Sequence, residues 1–179
     1  GKAKREVRLG ANSYGKSRVR MVKVSRDPRT RVHTMRELDV AIALEGEFET
    51  IHTEGDNSLC LPTDTMKNTV YALGRDHPVP SIEAFALHLG KHFVSRNAHL
   101  TAAHVRIDEV RWDRLVLGGK AHPHAFSKGP EERAWCEVVV NRSRAGPTFT
   151  SGLRGLVLLK TTDSGFVGYS RDEYTTLPE

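Results

Sequence analysis

Apolar and polar residues alternate most cleanly in "LDVAIALEGEF", where Leu38, Val40, Ile42 and Leu44 share one parity against Asp39, Ala41, Ala43 and Glu45. A period of two puts the two sets on opposite faces of a strand, and one-sided burial predicts an antiparallel sheet. "SRVRMVKV", Ser17 to Val24, reads as a preceding strand, and "DPRTR", with Pro28, as the turn between them. A polar loop, "HTEGDNS", follows from His52 to Ser58. The period then changes. Met66, Val70 and Leu73 recur at i, i+4, i+7, one face of a helix. Pro62 is tolerated no deeper than the first turn, so this helix starts between Thr63 and Thr65. Pro78 and Pro80 interrupt the chain, and Ser81 predicts the N-cap of a second helix with Ile82, Phe85, Ala86, Leu89 and Phe93 on one stripe. Strand alternation returns in "AAHVRIDEVRW" and "AWCEVVVNR", which bracket the polar stretch 118–133, read as a loop. A further strand is expected in "GLRGLVLLKTTDSGF". The predicted order is ββααββ followed by the start of something new, an α+β arrangement.

Composition narrows the class without choosing within it. The 179 residues are 38% hydrophobic and 27% charged, enough apolar material for one core. The net charge of +5 is concentrated between Lys2 and Arg36 and favours anionic partners. Strand-spaced apolar residues interrupt that basic stretch, and it lacks the interleaved aromatics of a base-stacking platform, which argues against nucleic acid. Two cysteines, Cys60 and Cys136, make no CxxC and no disulfide scaffold, so a reducing compartment is expected. No apolar run reaches the roughly 20 residues of a membrane span, and "GKAKREVRLG" has no secretory apolar core.

The stretch "LPTDTMKNTVY", Leu61 to Tyr71, carries more small polar groups than a helix cap needs. A helix N-terminus leaves backbone N–H groups unpaired and is positive through its dipole. The hydroxyls of Thr63 and Thr65 add groups that both donate and accept. Such an end can simply be richly capped, or it can cradle an anion or an electron-rich heterocycle. The chain has neither GxxxxGK[ST] nor a GxGxxG after a strand. His122 and His124, in "HPH", lack a third ligand at metal spacing.

"YGKSRVRMVKV" and "HTEGDNSLCLPTDTMKNTVYAL" resemble urate oxidase (uricase), and so, in the same order, do "AAHVRIDEVRWDR", "HPHAFSK" and "GLVLLKTTDSGFVGYSRDEYTTLPE". The resemblance implies tunnelling-fold (T-fold) domains, two per chain, each a four-stranded antiparallel sheet with two helices on one face. Residues 7–145 would form the first, and 146–179 the opening strands of a second. It implies oxidation of urate by O2 and water to 5-hydroxyisourate and hydrogen peroxide, with no metal and no organic cofactor. Lys16 and Thr63 would be catalytic, with Asp64 beside Thr63. Phe166 would stack on the purine and Leu177 would wall the pocket. An ordinary lysine holds its proton at neutral pH, and burial or neighbouring cations free it to act as a base. In a Lys16–Thr63 relay, Thr63 passes the proton that Lys16 takes.

The resemblance also implies a homotetramer with sites shared between subunits, in the cytoplasm or in a peroxisome. An arginine, a glutamine and a histidine of the family's site would lie beyond Glu179. The 179 residues alone are therefore expected to oxidise little urate and to associate with other subunits or a complementary C-terminal half, with Leu156 to Lys160 as an unpaired strand. Two other readings stay open. One is a metal-dependent T-fold enzyme acting on purines or pterins, which zinc content would reveal. The other is a non-catalytic purine-binding or assembly half-domain.

Overall fold

The computed structural model describes residues 9–177. Val7, Arg8 and the earlier basic residues, with Pro178 and Glu179, lie outside the described residues.

The chain forms β1 (Tyr14–Arg26), β2 (His33–Gly46), α1 (Glu49–Thr53), α2 (Thr63–Asp76), α3 (Ile82–Arg96), β3 (Leu100–Leu117), β4 (Lys120–Asn141) and β5 (Thr148–Arg154). The strands make one antiparallel sheet in the order β1-β2-β3-β4-β5. Leu38, Val40, Ile42 and Leu44 of β2 are buried with Val105 and Ile107 of β3 and Val138 of β4. They meet Met66 and Val70 of α2 and Phe85, Leu89 and Phe93 of α3 in one core. The two helix stripes and the period-two stripe thus cover one another, as the pattern predicts. Ser81 caps α3 by accepting from the Ala84 N–H at 3.1 Å. This α+β architecture matches the T-fold expectation.

Three segments differ from the sequence reading. The polar stretch 118–133 is strand. Gly118 and Gly119, at φ 55° and 75°, make a two-residue turn of the left-handed kind that hairpins favour. Leu117 therefore pairs with Lys120, and β3 and β4 run on as a long hairpin. Backbone pairing, not burial, holds that end, so no apolar alternation marks it. Residues 49–53, which follow the predicted strand and overlap only the first two residues of the predicted loop His52–Ser58, form the short helix α1. The final strand lies earlier than expected. β5 pairs with β4 from Thr148↔Val139 to Arg154↔Arg133, whereas residues 156–177 hold no strand or helix.

Candidate functional site

Lys16 lies on β1, the edge strand opposite β5. Its partner is Ile42, and the next register pair is Val19↔Val40. β1 thus spends three residues where β2 spends two, the signature of a β-bulge. Arg18, inside the bulge, sits at φ 57°, a left-handed conformation that costs a non-glycine residue roughly 1 kcal/mol or more. The bulge keeps Val19 and Met21 in the core while leaving Lys16 exposed at the strand edge. Gly15 is required by close approach. A Cβ there would lie 1.8 Å from the Ile42 carbonyl oxygen.

Thr63 opens α2. Pro62 stands at the N-cap with extended ψ, and no side chain caps the helix. Of the two alternatives for this helix end, side-chain capping is therefore not made at the N-cap. Thr69 bonds back to the Thr65 carbonyl at 2.8 Å. Asp64 turns along the helix, meeting Lys67 at 2.5 Å and Asn68 at 3.0 Å. The Lys67 ammonium holds the Asp64 carboxyl below the usual carboxylate range, and the charge of Lys16 adds to that effect. Lys16 and the first turn of α2 therefore share one electrostatic neighbourhood.

Contacts at both ends of β1 align it with α2. At the start, Tyr14 Oη donates to the Leu61 carbonyl at 3.0 Å. At the far end, Lys23 Nζ donates to the carbonyls of Gly74 at 2.5 Å and His77 at 2.7 Å. Strand and helix run in the same direction, and Lys16 follows Tyr14 by two residues as Thr63 follows Leu61 by two. Burial pushes the Tyr14 phenol up to about 12, with the Cys60 thiol adding to the rise, so it stays a donor across ordinary pH.

Behind Lys16, on the sheet face away from the helices, lies an open cavity of about 480 Å³. Ala41 and Ala43 floor it, and Glu45, His104, Arg106 and Glu137 ring it. His104 Nε2 meets Glu45 at 2.8 Å, and Arg106 lies 4.5 Å over the Trp135 ring and 3.8 Å from Glu137. This polar face is not among the candidates that motif and resemblance single out. Its signal was present: His104, Arg106 and Asp108 alternate with Val105 and Ile107. Thr63 does not line this cavity.

Phe166 and Leu177 stand apart from Lys16 and Thr63. The Phe166 ring stacks on Tyr169, centroids 5.2 Å apart, and is 69% exposed. The Leu177 carbonyl accepts from Tyr169 Oη at 2.8 Å and Arg171 at 2.7 Å. The structure brings Lys16 beside the α2 N-terminus but gathers neither Phe166 nor Leu177 to them. His122 and His124 lie on β4 with ring centroids 4.6 Å apart. Arg114 orders them by binding the His122 and Pro123 carbonyls at 2.7 and 2.8 Å. Among the described residues no group of three or more His, Cys, Asp or Glu is arranged to hold a metal ion. Among the described residues no helix is long and apolar enough to cross a membrane.

Known proteins share this fold and much of this sequence. The chain is 45% identical to a uricase of Aspergillus flavus over 169 residues, 94% of this chain and 56% of that protein. It is 39% identical to a uricase of Oryctolagus cuniculus over 178 residues, 99% of this chain and 58% of that protein. The crystal structure of uricase from Arthrobacter globiformis superposes with a TM-score of 0.79 at 41% identity, covering 97% of this chain and 57% of that one. The chain thus spans little more than half the length of these relatives. The uricase family model matches residues 12–139, from the loop before β1 almost to the end of β4, and the chain belongs to the uricase family.

Proposed function

We propose that this chain supplies one part of a urate-oxidising site. Lys16 and Thr63 are the reacting pair, and Phe166 and Leu177 belong to the purine-holding part of a site completed by another subunit or a complementary half. Urate, O2 and water give 5-hydroxyisourate and hydrogen peroxide, which balances the reaction without a further oxidant. The observation that carries the reading is the placement of Lys16 beside the uncapped N-terminus of α2 in a chain of this family. The free N–H groups of that turn are suited to an anionic or electron-rich ring. With Lys16 present as the neutral amine, Thr63 takes a proton from the ring and relays it to Lys16, leaving a more electron-rich purine for O2. Stacking on Phe166 holds the ring plane. The same reading takes residues 7–145 as one T-fold domain and 146–179 as the beginning of a second. It also takes the assembly as a homotetramer without metal or organic cofactor, working in the cytoplasm, with a peroxisome as the alternative compartment.

The test is urate absorbance coupled to a peroxide readout. It is run on the 179-residue chain alone and together with a chain matching the remainder of the uricase relatives. The pair should consume urate with peroxide formed in step, insensitive to chelators, and the short chain alone should turn over little. Lys16→Met and Thr63→Ala should each cut turnover by about 100-fold or more, with a less-than-additive double variant because the two act as one unit. No turnover by the pair, or activity lost to a chelator and restored by zinc, would refute the reading. Sedimentation should show the chain associated.

A further inference from the structure

Tyr14 ties the two halves of the Lys16–Thr63 neighbourhood together. Its hydroxyl donates to the Leu61 carbonyl at 3.0 Å, and its ring meets the buried Phe48 ring edge-on, centroids 4.8 Å apart. Tyr14 precedes Lys16 by two residues on the same side of β1, and Leu61 precedes Thr63 by two residues. No side chain caps α2, and Pro62 has no N–H to give. The bulge after Lys16 separates residues 14–16 from the register of the rest of β1. The position of Lys16 relative to α2 therefore depends on what holds this short segment.

We propose that Tyr14 is a positioning residue for the Lys16–Thr63 pair, its hydroxyl setting the spacing between Lys16 and the first turn of α2. This rests on the reading of Lys16 and Thr63 as the reacting pair. The ring's packing on Phe48 anchors the strand, and the hydroxyl adds the link to the helix. Only the hydroxyl is removed in Tyr14→Phe.

Two measurements test the proposal together. In the complete urate-oxidising assembly, Tyr14→Phe should lower kcat about ten-fold or more. KM should change by less than about two-fold, and the unfolding midpoint should stay near that of the parent. In a Lys16→Met background the same change should cost nothing further. In the 179-residue chain, exchange of the first hydrogen-bonded amides of α2, from Met66 N–H on the Pro62 carbonyl to residue 69, should quicken roughly five-fold. A purely structural role would reduce the folded fraction and leave kcat per folded site unchanged, which overturns the proposal. Unchanged exchange, or faster exchange with parental kcat, overturns it as well. If the unsubstituted assembly oxidises no urate, the functional reading falls. The exchange result alone then decides whether Tyr14 holds the helix entrance.

Discussion

Strand β2 and the segment after β5 are both rich in branched apolar residues, yet they meet opposite fates. In β2, Leu38, Val40 and Leu44 are wholly buried, and Ile42 nearly so. After β5, Val157, Leu158 and Leu159 are 88%, 83% and 87% exposed. The difference lies in spacing. β2 alternates with Asp39, Ala41, Ala43 and Glu45, so one face suffices, and α2 and α3 cover it. "LVLL", Leu156 to Leu159, has no polar alternate and calls for cover on both faces. The described residues provide neither helix nor strand there. Apolar content alone therefore does not make a strand. A partner within reach does.

That contrast can be broken most sharply in the core. Phe85→Ala, on a side chain 1% exposed between helix and sheet, should cost about 3–5 kcal/mol. Leu158→Ala, in the exposed run, should stay within roughly 0.5 kcal/mol in the isolated chain. Denaturant midpoints of the two variants, at equal slope, check this. Equal costs would mean that the run is covered in solution.

A smaller effect belongs to the strand edge. Gly15→Ala forces a methyl onto the Ile42 carbonyl, a backbone atom that cannot step aside. It should destabilise by about 1–3 kcal/mol and shift the amide signals of Lys16 and Ile42 together. Smaller again is Lys23→Met, which removes the ammonium from the Gly74 and His77 carbonyls at the α2 C-terminus. About 1 kcal/mol should be lost, seen as faster exchange in the last turn of α2.

A last effect, absent at neutral pH, sharpens the comparison by pH. Burial pushes the Cys136 thiol up to about 11 from 9.0 and the Tyr14 phenol up to about 12 from 10.0. Both groups are held neutral in the fold and ionise more readily when unfolded. Their contribution is complete below about pH 9 and is lost as pH rises toward 11–12, where the unfolded state releases more protons. Thermal midpoints should fall over that window, less so for Cys136→Ala. At neutral pH a thiol reagent should modify Cys60 and spare Cys136 until the chain unfolds. Simultaneous modification of both would mean that β4 opens as readily as the surface.

The sequence by itself determined the elements whose stability comes from periodic burial. The stripes of β2, α2 and α3, the Ser81 cap and the Pro62 boundary each state a local physical requirement, and ββααββ order follows from their succession. Lys16, Thr63, Asp64, Phe166 and Leu177 were legible only through resemblance, because a strand-edge lysine and a helix-entrance threonine carry no periodic signature. Tertiary structure decided the rest. It extended β3 and β4 past the core on backbone hydrogen bonds, which polar side chains neither help nor forbid. It placed the bulge between Lys16 and Val19, where register against β2 outweighs the strain at Arg18. It also seated Tyr14 on Leu61, a contact 47 residues apart in the chain. Such choices depend on which surfaces meet, and a pattern of side chains specifies a face without naming what will cover it.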